Sequence, residues 1–168
     1  YEGHFAFDLL YNNTSEIQPN TLSTDNHGTN NVNFAILDFF GYTFAPRYAK
    51  MKRVFFDLFE VTEEEGGRIQ LKKDVNYKLV AEEWENIQHI LCSLSQKTTT
   101  QSTIIRKLSN GKSRTLSALH EYDRLIKAIY VLEYVDSSTL RHYVQQALNR
   151  GEAYHQLKRA ITSVNGNR

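Results

Sequence analysis

Apolar positions change their period along this chain, and each change marks an element. Phe5, Leu9 and Leu10 recur at helical spacing until Asn12-Asn13, which predicts a helix over residues 1–12. Residues 17–24 read as an extended strand leading into Asp25. Val32, Phe34, Ala35, Ile36, Leu37 and Phe39 are apolar nearly all round, so a second helix, capped by Asn30 or Asn31 and stopped by Gly41, should be buried. Tyr42-Thr43-Phe44-Ala45 makes a short strand halted by Pro46. Residues 53–61, with Val54, Phe55, Phe56, Leu58 and Phe59, read as another strand. The Glu63-Glu64-Glu65-Gly66-Gly67 turn then brings the chain back through Ile69 and Leu71 as a hairpin.

From Lys78 onward the pattern is helical. Val80, Trp84, Ile87, Leu91 and Leu94 fall four, three, four and three residues apart, a stripe that assigns all five, Trp84 included, to the core. A short helix is expected around residues 103–108. A long one follows over residues 115–134, with Leu116, Leu119, Tyr122, Ile126, Ile129 and Tyr130 inward. Asp136-Ser137-Ser138 can cap a further helix over residues 139–149. At about 100° per residue, Leu140, Tyr143, Val144, Ala147 and Leu148 share one face. Ala153, Leu157, Ala160, Ile161 and Val164 share another, displaced by about a third of a turn or more. One straight helix cannot bury both stripes against one surface, so a kink or restart is expected at Asn149-Arg150-Gly151. Glu152 then sits in the first turn of a final helix, with His155, Gln156 and Arg159 pointing away from its apolar stripe.

At 168 residues, 40% hydrophobic and 23% charged, the composition is that of a globular domain with its own core. No apolar run reaches the roughly 18 residues a membrane helix needs, and no basic-then-apolar leader opens the chain, so neither a membrane span nor a signal peptide is expected. The single cysteine, Cys92, excludes an internal disulfide and reads as a small buried side chain in a reducing compartment. The net charge of +1 hides an asymmetry: residues 1–60 hold four Lys/Arg against seven Asp/Glu, and residues 141–168 hold five against one. A basic final segment suits a polyanionic partner.

Two carboxylates stand out. Asp25 follows the extended run Asn20-Thr21-Leu22-Ser23-Thr24, and Glu152 follows Gly151 at the expected helix start. A strand-end aspartate and a helix-start glutamate, far apart in sequence, are a common way to assemble oxygen ligands for a hard divalent cation.

The words around these acids carry a resemblance. Ser23-Thr24-Asp25-Asn26-His27-Gly28, Phe40-Gly41-Tyr42-Thr43-Phe44-Ala45-Pro46-Arg47 and Leu148-Asn149-Arg150-Gly151-Glu152-Ala153-Tyr154-His155 resemble, in order and spacing, the catalytic region of the Tn-three family of replicative (class II) transposases. Trp84 with Ser93, Ile105-Arg106-Lys107-Leu108 and Arg124-Leu125-Ile126-Lys127 before Leu132-Glu133-Tyr134 extend the likeness over nearly the whole chain. Thr29 after His27-Gly28 departs from the bulky residue usual there. The resemblance implies a mostly helical α/β architecture: a partial ribonuclease-H-like fold with an all-helical insertion before the glutamate helix. On that pattern residues 1–77 form the α/β region carrying Asp25, residues 78–149 the insertion and residues 150–168 the helix carrying Glu152.

It also implies an Asp-Asp-Glu triad holding two Mg²⁺ ions, for which Mn²⁺ can substitute. Asp25 matches the second aspartate and Glu152 the glutamate, while the first aspartate has no match in these residues. The implied reaction nicks transposon ends and joins their 3′ ends to target DNA, in the bacterial cytoplasm, with self-association of the full transposase. This chain alone is expected to be inactive. His27 is a candidate for phosphate bonding, for positioning Asp25 or for shaping a turn. Arg47, Arg150, Lys158 and Arg159 are candidate phosphate contacts, and His155 stands beside them on the DNA-facing side. Asp57, between phenylalanines, lies in the wrong order to complete the triad. The competing reading is a non-catalytic remnant that binds DNA or protein through its helices.

Overall fold

A computed structural model describes residues 2–25, 32–63 and 66–164. Helix α1 (Ala6–Tyr11), entered through a 3-10 turn at Glu2–Phe5, ends at Asn12, as its sequence predicts. Only Thr21–Leu22 of the long extended run forms a strand, β1. The buried helix α2 (Asn33–Phe39) then leads to β2 (Thr43–Phe44), which pairs in parallel with β1 in the register Thr21↔Thr43 and Leu22↔Phe44. Backbone bonds extend this pairing on both sides: Thr43 N–H donates to Asn20, Ala45 to Leu22 and Arg47 to Thr24, each at 2.8 Å. Thr24 and Arg47 are thus locked together, one residue before Asp25.

The expected strand over residues 53–61 is a correction. Met51–Leu58 is helix α3, and only Phe59–Val61 is strand, β3. Val54, Phe55 and Leu58 fall at helical spacing and are half-buried against the core, while Phe56 faces solvent. Packing against one surface overrode the strand preference of Val54, Phe55 and Phe56. The hairpin itself forms: β3 pairs antiparallel with β4 (Ile69–Leu71), Phe59 opposite Leu71.

The predicted stripe of Val80 to Leu94 runs over two helices, α4 (Tyr77–Glu82) and α5 (Trp84–Ser95), broken at Glu83. Glu83 is buried there. Its carboxylate accepts bonds from the Asn86 amide and the Thr115 hydroxyl, both at 2.8 Å, which hold it below the usual carboxylate range. Ile87 and Leu94 are in the core, but Trp84 is 42% exposed, and Cys92, expected to be buried, is exposed on the outer side of α5. Helix α6 (Gln101–Ser109) leads to α7 (Arg114–Asp136), about 35 Å long, which packs against α2, α3, α4, α5, α6 and α8 (Ser138–Val164). The inner side of α7 is as predicted at Leu119 and Tyr130, whereas Ile129 is exposed.

The second correction concerns α8. It is one uninterrupted helix, Gly151 has no left-handed backbone, and Glu152 lies well inside rather than in a first turn. The expected kink presumed that both apolar stripes are buried. Val144 is buried and Leu140 and Leu148 pack against the core, but residues 149–163 are exposed throughout. With only one stripe buried, no restart is needed. No helix among the described residues is long and apolar enough to cross a membrane.

Buried polar groups knit the layers. Gln101, fully buried on α6, accepts from the Phe7 backbone N–H at 2.9 Å and donates to the Asn33 side chain at 2.6 Å. Val32, left-handed at φ 51°, precedes α2 without any side-chain cap of its own. Asp123 of α7 supplies one instead, its Oδ1 accepting from Ala35 N–H at 3.1 Å. Burial pushes the Asp123 carboxyl up to about 6, against the opposing pull of the Ala35 and Phe34 N–H groups and Lys127. Asn30 and Asn31, the expected caps, lie outside the described residues.

Candidate catalytic face

Asp25 stands exposed just past the β1–β2 pairing, where the chain leaves the sheet. Glu152 stands exposed midway along α8. A line of hydrogen bonds runs from Thr24, beside Asp25, to Asn149, three residues before Glu152. Thr24 accepts the backbone N–H of Arg47 at 2.8 Å, and the Arg47 guanidinium Nη1 donates to Gln145 Oε1 on α8 at 3.1 Å. The Gln145 Nε2 in turn donates to Asn149 Oδ1 at 2.7 Å. Glu152 lies seven residues beyond Gln145, two turns along nearly the same face and about 10 Å further on. The strand end carrying Asp25 is thereby tied to the α8 face that carries Glu152.

The anchoring of Arg47 is built from its neighbours. Pro46 and Tyr48 are buried on either side of it. The Tyr130 hydroxyl of α7 donates to the Pro46 carbonyl at 2.8 Å, and the Tyr48 ring packs against those of Tyr130 and Tyr134. Burial raises the Tyr48 and Tyr130 hydroxyl pKa values, so both remain neutral. Arg47 itself is half-buried, with its Nη1 bonded to Gln145.

Arg150, His155, Lys158 and Arg159 are all exposed on α8. Glu152, His155, Gln156, Lys158, Arg159 and Thr162 share one exposed side of α8. Tyr143, Tyr154, Leu157 and Ile161 lie on the opposite face, each more than half exposed. The distal half of α8 is therefore amphipathic, polar where Glu152 sits and apolar behind it. His27 lies outside the described residues.

The donor set suits a hard cation. Asp25 and Glu152 are exposed acidic residues, and carboxylate oxygen is the ligand type Mg²⁺ and Mn²⁺ take. Among the described residues no group of three or more His, Cys, Asp or Glu is arranged to hold a metal ion. Asp57 pairs instead with Arg53 one turn back, at 3.8 Å on the exposed side of α3.

Sequence reasoning missed Gln145 and Asp123. The seven-residue interval from Gln145 to Glu152 was the available signal for the first. For the second it was the interval from Leu119 through Asp123 to Ile126 and Tyr130, which puts an acid inside an apolar stripe.

Residues 1–168, the whole chain, match the family described as Tn3 transposase DDE domain. The chain is 30% identical over 164 residues to the transposase for transposon Tn2501 of Escherichia coli, an alignment covering 94% of this chain and 16% of the relative. It is 29% identical over 159 residues to the transposase for transposon Tn1546 of Enterococcus faecium, covering 93% and 16%. Against the transposase for transposon gamma-delta of Escherichia coli strain K12 it is 29% identical over 160 residues, covering 94% and 16%. The chain thus spans about a sixth of the length of these relatives. No solved structure matches.

Proposed function

Since the chain belongs to the Tn3 transposase DDE domain family, we propose that it carries two of the three carboxylates of a transposase active site, Asp25 and Glu152. The connection that supports this most directly is the Thr24–Arg47–Gln145 link, which ties the Asp25 strand end to the Glu152 face of α8. In this reading the α/β part of residues 1–77 belongs to a ribonuclease-H-like fold, residues 78–149 are a helical insertion, and residues 150–168 carry the glutamate. The last border falls inside continuous α8.

The reaction is phosphoryl transfer on DNA in two steps. Water attacks a phosphodiester at the transposon end, breaking the P–O bond to the 3′ oxygen and leaving a free 3′-hydroxyl. That hydroxyl then attacks a target phosphodiester, forming one P–O bond as another breaks. Mg²⁺, or Mn²⁺ in its place, held by Asp25 and Glu152 with the third acid, would supply charge stabilisation for the attacking and leaving oxygens. Arg150, Lys158 and Arg159 serve the phosphates, with His155 on the same side, and His27 bonds phosphate or positions Asp25. Transposon-end and target DNA are the partners, the transposase self-associates, and the setting is the bacterial cytoplasm.

In the transposase containing this chain, Asp25→Asn and Glu152→Gln should each reduce end nicking and strand transfer to background while leaving end-DNA binding intact. The 168-residue chain by itself should nick nothing. Full nicking by either variant would instead favour a non-catalytic DNA- or protein-binding role.

A further inference from the structure

We propose that Arg47 is a positioning residue that sets the spacing between the two carboxylates, rather than a phosphate contact. The proposal rests on the catalytic reading of Asp25 and Glu152 given above. Arg47 is the residue through which both halves of the site pass: its backbone N–H holds Thr24, next to Asp25, and its side chain holds Gln145, on the Glu152 face of α8. The residues on both sides of it are immobilised, Pro46 by the Tyr130 hydroxyl and Tyr48 by the Tyr130 and Tyr134 rings.

Rigid anchoring at one end and a side-chain bond at the other are what a spacer requires. The Arg47 guanidinium is half-buried with its Nη1 on an amide oxygen, which turns it toward α8 and leaves fewer of its donors for a phosphate. The rest of the line fits the same role. Gln145 lies on the α8 face that carries Glu152 two turns on, so the bond to its amide holds that face against the sheet end. Loss of the link leaves Asp25 at the sheet end and Glu152 on a helix still seated through Leu140, Val144 and Leu148, without the side-chain bond that joins the two. Outer groups that orient metal ligands typically affect metal affinity by about 10–100-fold.

The experiment uses the transposase containing this chain, with Mn²⁺ binding followed by electron paramagnetic resonance without DNA and end-DNA binding followed separately. Arg47→Ala and Gln145→Ala should each weaken Mn²⁺ binding about tenfold, and the double variant should be no worse than either single. End-DNA affinity and its salt dependence should be unchanged, and Gln145→Glu, which gives Arg47 an ionic partner, should retain wild-type Mn²⁺ binding. Gln145→Ala removes only a half-buried side chain from a helix surface, so it reports on the link even if Arg47→Ala impairs folding. Weakened DNA binding in Arg47→Ala with a silent Gln145→Ala would overturn the proposal, as would effects on Mn²⁺ that multiply in the double variant. Asp25→Asn is the control for the underlying reading: unaltered Mn²⁺ binding there would refute the carboxylate site itself, whatever Arg47 does.

Discussion

Replacing Asp123 with Asn should remove a loss of stability that the native chain suffers as pH rises from about 4 to 6. Asp123 is almost wholly buried on α7, and burial lifts its carboxyl from an ordinary 3.8 to about 6. An acid whose folded pKa exceeds its unfolded value binds its proton more tightly when folded. Stability is then highest below the unfolded pKa, falls between the two values and is flat above the folded one. A difference of roughly two units at about 1.4 kcal/mol each makes the fall about 3 kcal/mol. Asn cannot ionise but keeps an oxygen for the Ala35 N–H, so its chain should lack this component. The assay is urea unfolding of both proteins from pH 3.5 to 7.5, read as the difference between the two curves. Asp8, raised by burial, and Glu83, lowered by its Asn86 and Thr115 bonds, titrate in both proteins and cancel in that difference. Parallel curves would refute the reasoning, because they would mean that Asp123 is as easily ionised in the fold as out of it.

Gln101→Ala should cost about 2–4 kcal/mol in the same unfolding assay, because it removes the acceptor of the Phe7 N–H and one donor to Asn33 inside the protein and leaves a cavity; a loss under about 0.5 kcal/mol would show that water replaces the amide. Leu157→Ser with Ile161→Ser should change stability by less than about 0.5 kcal/mol, since both side chains are more than half exposed. A large loss there would mean that the distal half of α8 is packed in solution.

Local pattern was a good guide wherever an element had one apolar face and one neighbour. The hairpin of Phe59–Val61 with Ile69–Leu71, the buried α2, the short α6 and the serine cap before α8 were all legible for that reason. It failed where the outcome depended on what lies across the fold. Val54, Phe55 and Phe56 suit a strand by composition, and only the surface of α7 makes them helical. Leu157 and Ile161 form a sound apolar stripe, and the expected kink followed from assuming that this chain alone covers it. Within the candidate face the sheet end before Asp25 was legible, because an extended run and its halt are local features. The bond between Arg47 and Gln145 was not, because it joins residues with no periodic relation.

The unbroken course of α8 has a mechanical consequence. Its first three turns are seated against the core and the remainder is a free rod, so Glu152 rides on a lever whose fulcrum lies near Leu148. With four residues between them, about 6 Å, a tilt of about 10° would swing the glutamate by about 1 Å. Whatever grips the outer end of that rod therefore also shifts a carboxylate near its inner end.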